Sequence, residues 1–177
     1  MRRFIWGHAF ELKRFPFDIR AAQSSIIDLA RSPCLRYKVP MTQFTLDSRL
    51  IADTIPVGDL SLSRVLLMND SRYPWLLLVP RLPDIREFID LDMTNRARIW
   101  REIEDVSEMM QREFSPHKLN VAALGNVVPQ LHVHVIARSL DDAAWPRPVW
   151  GVGDRIPYEP EAGQALAARL SAALGYL

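Results

Sequence analysis

The segment Gln130–Ile136 reads Gln-Leu-His-Val-His-Val-Ile, and its alternation of polar and apolar residues decides the local fold. Successive side chains of a β-strand point to opposite faces of the sheet. The glutamine and the two histidines would therefore share one face, and the residues between them would anchor in a core. The pattern predicts a half-buried strand over residues 131–137 that presents two imidazoles side by side.

His132 and His134 are compatible with three roles. They could be ordinary side chains of a half-buried strand that find partners among their neighbours. A His-x-His pair can also bind a metal, but such a site needs a third protein ligand, and only His117 is a further histidine outside residues 1–40. Imidazole is also suited to nucleophilic or acid–base catalysis near neutral pH. We expect no metal here.

The loop before this strand contains Gly125 and Asn126. Glycine permits backbone N–H groups to approach an anion closely, and the asparagine amide can add a donor. A phosphate group held by this loop would lie near the imidazoles. The loop therefore favours phosphoryl or nucleotidyl transfer among the catalytic roles.

The rest of the chain predicts an α+β fold. Apolar runs at 62–68 and 75–79 are separated by turn residues, which indicates an antiparallel hairpin. A further strand is predicted at 118–124, and an Ala- and Leu-rich helix at 164–174. Hairpins combined with separated helices are typical of an antiparallel sheet with helices on one face.

The longest predicted helix covers residues 94–114, where apolar residues recur with helical periodicity. Asp92 or Thr94 is expected to cap its start, and Ser115-Pro116 to end it. Glu102 is assigned to the charged side of this helix, away from the core.

Composition limits the class of protein. The chain has 177 residues, 49% apolar and 24% charged, which suits one domain with a sizeable core. A net charge of +1 gives no reason to expect nucleic-acid binding, and no apolar run is long enough to cross a membrane. Cys34 is the only cysteine, so an internal disulfide is excluded and a cytoplasmic location is expected.

Charge is distributed unevenly along the chain. Residues 1–40 hold eight basic and three acidic residues, whereas the remainder holds 14 basic and 18 acidic residues. We interpret residues 1–40 as a basic extension: either a non-native stretch upstream of a start at Met41, or a targeting or partner-binding arm. The main domain is then expected at 41–153, and a helical C-terminal tail at 154–177.

The segment Gln130–Ile136 resembles the signature of the histidine triad (HIT) superfamily, in which His-apolar-His-apolar-His precedes two apolar residues. The similarity extends over about residues 43–152. Val65–Asp70, Pro74–Pro80 and Phe88–Leu91 resemble the family's ribose-binding strand, hairpin and following turn. The chain is most similar to bacterial HIT-domain proteins, including those described as diadenosine tetraphosphate hydrolases.

This resemblance implies a HIT-like fold, with an antiparallel sheet of about five strands and a long helix packed on one face. It also implies a homodimer that needs no cofactor. The implied activity is hydrolysis of a nucleotide phosphoanhydride or phosphoramidate through a nucleotidyl-histidine intermediate, with dinucleoside polyphosphates as the leading substrate class.

The resemblance also assigns roles to individual residues. His132 matches the nucleophile, and His134 matches the histidine that binds the phosphate or helps to protonate the leaving group. The remaining matches are a phosphate-contacting set, Asn120, Gly125 and Asn126, and a ribose-contacting pair, Asn69 or Asp70.

Two positions depart from the family pattern. Gln130 occupies the place of the first histidine, where its backbone carbonyl can still orient His132, and Val127 stands where relatives often carry Ser or Thr. We expect activity to be retained, with a slower rate or an altered substrate preference. The alternatives are a nucleotide-binding module with little turnover, or a nucleotidyltransferase or phosphorylase. Arg138, Trp145 and Trp150 stay open between nucleotide contact and a packing or strand-end role.

Overall fold

Five strands form one antiparallel sheet in the computed structural model, which describes residues 43–175. The spatial order is β1-β2-β3-β5-β4, and every neighbouring pair is antiparallel. The predicted α+β sheet of about five strands is confirmed. The interpretation of residues 1–40 lies outside the described residues. The strands are β1 (Thr54–Asp59), β2 (Ser63–Met68), β3 (Trp75–Pro80), β4 (Lys118–Ala123) and β5 (Val133–Arg138).

The predicted hairpin is formed by β2 and β3, which pair with Leu66 opposite Leu77 and Val65 opposite Leu78. All six residues of β3 are buried, so this strand is covered on both faces of the sheet. Leu78 belongs to the core under the helices, whereas Leu77 belongs to a second apolar cluster on the opposite face. The strand at the centre of the sheet is therefore apolar throughout rather than alternating.

Within residues 43–175, three α-helices accompany the sheet: α1 (Ser48–Asp53), α2 (Met93–Phe114) and α3 (Pro160–Leu174), with a 3-10 turn at Phe88–Asp90. The carboxylate of Asp92 caps α2 by accepting a hydrogen bond from the backbone N–H of Asn95 at 2.8 Å. The helix ends at Ser115, whose φ of 44° is left-handed. Both predicted ends of α2 are confirmed.

Glu102 corrects the expectation for the charged side of α2. Its side chain is only 4% exposed and faces the turn between β1 and β2. There it accepts hydrogen bonds from the backbone N–H groups of Leu62 at 2.6 Å and Ser63 at 3.1 Å, and from the hydroxyl of Ser61 at 2.9 Å. Helical periodicity could not reveal this role, because the partners lie about 40 residues earlier in the chain.

The C-terminal helix α3 is present and contributes to the main core. Leu170 and Leu174 join the same apolar cluster as the buried face of α2, so both helices cover one face of the sheet. A Cβ added at Gly163 would lie 2.6 Å from the Cδ1 atom of Ile55. Glycine thus permits the close approach of α3 to β1. Among residues 43–175, no helix has the length and apolar character needed to cross a membrane.

Candidate active site

Strand β5 separates its side chains as the sequence predicts. Val133 and Val135 join the core beneath the helices, whereas Ile136 joins the cluster on the opposite face. His132 precedes the strand but lies beside His134, with 4.9 Å between ring centroids. The two histidines are 7% and 4% exposed. The strand begins two residues later than predicted, yet the prediction that the two imidazoles lie side by side on one face is confirmed.

His132 is oriented by the backbone of Gln130. Its Nδ1 atom lies 2.6 Å from the carbonyl oxygen of Gln130. Because a carbonyl oxygen can only accept, this contact assigns the proton to Nδ1 in the neutral ring. The Nε2 atom of His132 then carries the free lone pair that a nucleophile needs.

His134 has the opposite arrangement. The indole N–H of Trp75 donates to its Nδ1 atom at 2.9 Å, which assigns the ring proton of neutral His134 to Nε2. The rings of Trp75 and Trp150 pack against the imidazole at centroid distances of 5.4 and 5.2 Å. Burial, aided by the neighbouring His132, lowers the pKa of His134 from its usual 6.5 to about 3. The imidazole is therefore neutral near pH 7.

Both histidines line a cavity of about 390 Å³ on the face of the sheet opposite α2 and α3. Its apolar wall includes Leu50 of α1, Met68 of β2 and Leu77 of β3, together with Val149 and Trp150 from the segment after β5. A cavity of this size, partly apolar and partly polar, is typical of a small-molecule site. The charged side chains that line it are Asp53, Asp70, Arg72 and Arg155.

The two acidic residues of this cavity are each paired with an arginine. Asp53 contacts Arg155 at 2.7 Å, and Asp70 contacts Arg72 at 2.6 Å. Burial by itself would raise the pKa of Asp70, but hydrogen bonds and the charge of Arg72 lower it below its usual value. Asp70 is thus ionised, and both carboxyl groups have an arginine partner within the cavity wall.

The two predicted ribose contacts have different surroundings. Asp70 is 1% exposed, lines the cavity, and receives Arg72 on both of its oxygens. The side-chain oxygen of Asn69 instead accepts the backbone N–H of Tyr158 at 2.9 Å. Asn69 therefore anchors the segment before α3, and only Asp70 of this pair lies at the cavity.

The predicted phosphate contacts are only partly brought together. Asn126 lines the histidine cavity, and Gly125 lines a small adjoining recess that His132 shares. An added Cβ at Gly125 would meet only the Val128 carbonyl, at 3.9 Å, so sterics do not require glycine there. Asn120 is placed elsewhere: its side-chain oxygen accepts from Arg138 at 2.7 Å.

Gln130 directs its side chain away from the histidine cavity. Its amide oxygen accepts the backbone N–H of Asp47, and its amide nitrogen donates to the Thr45 carbonyl, both at 2.9 Å. The residue at the first position of the motif therefore holds the segment that leads into α1. Its backbone carbonyl orients His132, and its side chain holds the segment before α1 in place.

Arg138 is a buried structural residue with 1% exposure. Its guanidinium donates to Asp142 at 2.6 and 2.9 Å and to the backbone carbonyl of Arg147 at 2.9 Å. Trp145 packs beside it, 5.7 Å from the guanidinium carbon to the ring centroid. Of the residues left open by the sequence, Arg138 at the end of β5 therefore packs with Trp145 from the segment that follows, and Trp150 lines the cavity.

Sequence reasoning missed Trp75, Arg72 and Arg155 as cavity residues. Trp75 reaches His134 because β3 pairs with β5 with Trp75 opposite Ile136, and that register is not readable from the sequence. Arg72 had a local signal, since it follows Asp70 by two residues in a turn. Among residues 43–175, no cluster of three or more His, Cys, Asp or Glu side chains is arranged to hold a metal ion.

Comparison with known proteins gives consistent matches. A family model described as the HIT domain matches residues 51–140. A histidine triad protein from Bradyrhizobium japonicum is 50% identical, with 76% of this chain and 98% of that chain covered and a TM-score of 0.71. One from Sinorhizobium meliloti 1021 is 46% identical, with coverage of 75% and 98% and a TM-score of 0.72.

A histidine triad protein from Marinobacter aquaeolei VT8 is also similar. It is 46% identical, with 77% of this chain and 99% of that chain covered and a TM-score of 0.74. Among curated proteins, none matches this chain significantly.

Proposed function

This chain belongs to the HIT family, and on that premise we propose that it is a nucleotide hydrolase. It cleaves a phosphoanhydride or phosphoramidate bond, with dinucleoside polyphosphates as the leading substrates. The reaction passes through a nucleotidyl intermediate on His132 and needs no metal or cofactor to form the nucleophile.

The hydrogen bond between His132 Nδ1 and the Gln130 carbonyl is the observation that carries this proposal. It leaves the Nε2 lone pair of His132 available for attack on the α-phosphorus. A phosphorus–nitrogen bond forms at Nε2 while the bond to the leaving group breaks. The nucleotidyl-imidazole keeps its Nδ1 proton and carries positive charge, which the carbonyl at 2.6 Å stabilises.

Water completes the reaction in a second displacement. It attacks the same phosphorus and loses a proton to solvent, while the phosphorus–nitrogen bond breaks and its electron pair returns to His132. The product is a nucleoside monophosphate, and the histidine is regenerated in its starting tautomer. Division into two displacements is the advantage of covalent catalysis.

The cavity supports a nucleotide as the bound group. Leu50, Met68 and Leu77 provide an apolar wall for a base, and Trp150 adds an aromatic surface. Asp70 would accept a ribose hydroxyl at a lone pair that Arg72 leaves open. The amide of Asn126 would donate to a phosphate oxygen. Gly125 would let the loop backbone approach the same phosphate, whereas a phosphate contact by Asn120 would require its NH₂ group.

We propose that the active form is a homodimer. Strand β4 lies at the edge of the sheet, and Val121 on it is 43% exposed. An exposed edge strand can pair with a second chain. Light scattering coupled to gel filtration tests this, and a mass of one chain at micromolar concentration would contradict it.

The function is tested by incubating the protein with diadenosine tetraphosphate and with an adenosine phosphoramidate. We expect release of the monophosphate, and a loss of at least about a thousandfold in His132→Ala. His117→Ala is the matched control, because His117 lies outside the cavity against Trp145.

A substrate labelled at the α-phosphate adds a direct test of the intermediate. Label that stays on the wild-type protein after an alkaline quench, and is absent from His132→Ala, is the expected result. Equal turnover in the wild type and His132→Ala would contradict the mechanism. Tight binding with no turnover would favour a nucleotide-binding module, and turnover that depends on added phosphate would favour a phosphorylase.

A further inference from the structure

The two active-site histidines are held by hydrogen bonds of opposite sense. His132 donates from Nδ1 to the Gln130 carbonyl, whereas His134 accepts at Nδ1 from the indole N–H of Trp75. Both rings use the same atom to contact the protein. Their Nε2 atoms therefore differ, with a lone pair on His132 and a proton on His134.

We propose that Trp75 is a positioning residue that fixes His134 as a neutral Nε2–H donor, and that the site is therefore specialised for phosphoanhydrides rather than phosphoramidates. The assignment of substrate rests on the proposed function. The assignment of the tautomer does not, since it concerns only the contact between Trp75 and His134.

The packing around Trp75 holds its indole where the N–H group donates to Nδ1 of His134. An indole N–H can donate but cannot accept. Trp75 is 6% exposed and packs against Tyr73 at 6.5 Å and Trp150 at 5.6 Å, measured between ring centroids. Protonation of His134 at Nδ1 would oppose two N–H groups at 2.9 Å. The imidazolium form is thus disfavoured by a fixed donor as well as by burial.

The charged groups around His134 do not reverse this preference. Those lining the same cavity come from α1, from the turn after β2 and from the segment before α3. Each carboxylate among them is paired with an arginine, at 2.7 Å in one case and 2.6 Å in the other. No uncompensated negative charge in the described cavity wall would stabilise an imidazolium. The charged groups are Asp53, Asp70, Arg72 and Arg155, and the neighbouring His132 is a further titratable group of the cavity.

A neutral donor supports one class of leaving group better than the other. When His132 attacks a phosphoanhydride, the phosphorus–oxygen bond breaks and its electron pair stays on a phosphate oxygen, which departs as an anion. The Nε2–H group of His134 can donate a hydrogen bond to the transferring phosphoryl group without losing its proton. An amine that leaves a phosphoramidate must instead gain a proton, and neutral imidazole is a poor acid for that purpose.

The tautomer is tested by NMR of the full ¹⁵N-labelled chain, with the His134 signals assigned from His134→Gln. We expect wild-type His134 to show a protonated Nε2 and an unprotonated Nδ1 from about pH 8 down to about pH 5. Trp75→Phe should lose this fixed pattern and show exchange between the two neutral tautomers in the same range.

Trp150→Phe is the matched control. Trp150 contacts the same imidazole only through its ring, edge to face, with an angle of 77° between the two ring planes. It should keep the wild-type tautomer. A wild-type His134 that carries its proton on Nδ1, or is an imidazolium near pH 7, would overturn the proposal. That measurement needs no Trp75 variant and no turnover, so it stands even if Trp75→Phe does not fold.

The substrate preference is tested by the ratio of kcat/KM for diadenosine tetraphosphate to kcat/KM for an adenosine phosphoramidate. We expect the wild type to favour the anhydride by at least about a hundredfold, the lower end of what general-acid catalysis contributes. In Trp75→Phe, where Nε2–H is no longer fixed on His134, kcat/KM for the anhydride should fall, so the ratio should shift toward the phosphoramidate. A wild type that prefers the phosphoramidate would refute the proposal that His134 donates a hydrogen bond without transferring its proton. Turnover of neither substrate would count against the proposed function, while the NMR result would still decide the tautomer.

Discussion

The side-chain oxygen of Gln130 lies 2.9 Å from the backbone nitrogen of Asp47, so the first position of the histidine motif holds the segment that leads into α1. The amide nitrogen of Gln130 completes a second bond to the Thr45 carbonyl. Leu50, on the helix that follows, forms part of the cavity wall. Gln130 therefore acts on the site by fixing a neighbouring segment, and not through chemistry of its side chain.

Replacing Gln130 with alanine removes both of these hydrogen bonds. We expect the free energy of unfolding to fall by about 1–3 kcal/mol. We also expect faster amide hydrogen exchange at Asp47 and in α1. Urea denaturation and hydrogen-exchange mass spectrometry measure the two effects.

Two further variants separate the roles of this residue. Gln130→Glu keeps an acceptor for the N–H of Asp47 but places a second acceptor against the Thr45 carbonyl. Its free energy of unfolding should therefore be intermediate between those of the wild type and Gln130→Ala. Gln130→His should give no gain in turnover, because the backbone carbonyl already orients His132. A large gain in turnover would show that the side chain at this position takes part in the reaction.

Local periodicity explains what the sequence predicted well. The alternation around His134 sets the faces of β5, and the helical period of residues 94–114 sets the length of α2, because both signals are contained in neighbouring residues. The short elements α1 and β1 were not predicted. Six residues each are too few for a periodic signal, and their packing depends on residues far away in the chain.

The parts of the site that escaped prediction depend on long-range contacts. Trp75 and His134 are 59 residues apart, and Gln130 and Asp47 are 83 residues apart. Strand register and loop position decide whether such side chains meet. The family resemblance is the source of the proposed roles of the histidines, but it could not show that Asn120 is paired with Arg138.

Glu102 provides a test of the buried contacts of α2. Glu102→Ala leaves two backbone N–H groups and one hydroxyl of the β1–β2 turn without their acceptor. We expect it to lower the free energy of unfolding by about 2–4 kcal/mol. Glu104→Ala is the matched control, since Glu104 is 67% exposed on the same helix and should change stability by less than about 0.5 kcal/mol. Equal effects of the two substitutions in urea denaturation would contradict the role of Glu102 as the acceptor for the β1–β2 turn.

The ion pair of Arg138 and Asp142 should be strongly coupled, because their side chains are 1% and 5% exposed. Arg138→Met leaves a buried carboxylate without its partner, and we expect a loss of about 3–5 kcal/mol in unfolding free energy. The double variant Arg138→Met/Asp142→Leu should recover part of that loss, because it removes the unpaired charge. Thermal and urea unfolding of the four proteins form a double-mutant cycle. A double variant less stable than Arg138→Met would count against this account.

Burial of His134 makes stability depend on pH. The unfolded chain binds a proton on this imidazole below about pH 6.5, whereas the folded protein, with its pKa lowered to about 3, does not. The unfolded state therefore binds more protons between these values, and stability must fall as the pH decreases through that window. From about pH 7 to about pH 4.5 the contribution of His134 is about 2–3 kcal/mol.

The lower limit of that range stays above 3.8, the ordinary pKa at which carboxyl groups such as Asp47 and Asp70 gain protons in the unfolded chain. Urea denaturation of His134→Asn at several pH values should therefore show a shallower loss of stability than the wild type. His117→Gln should keep the wild-type slope, because His117 is exposed. If His134→Asn and the wild type lose stability in parallel, His134 is protonated in the folded state at these pH values. Its role as a neutral donor would then fail together with the predicted slope.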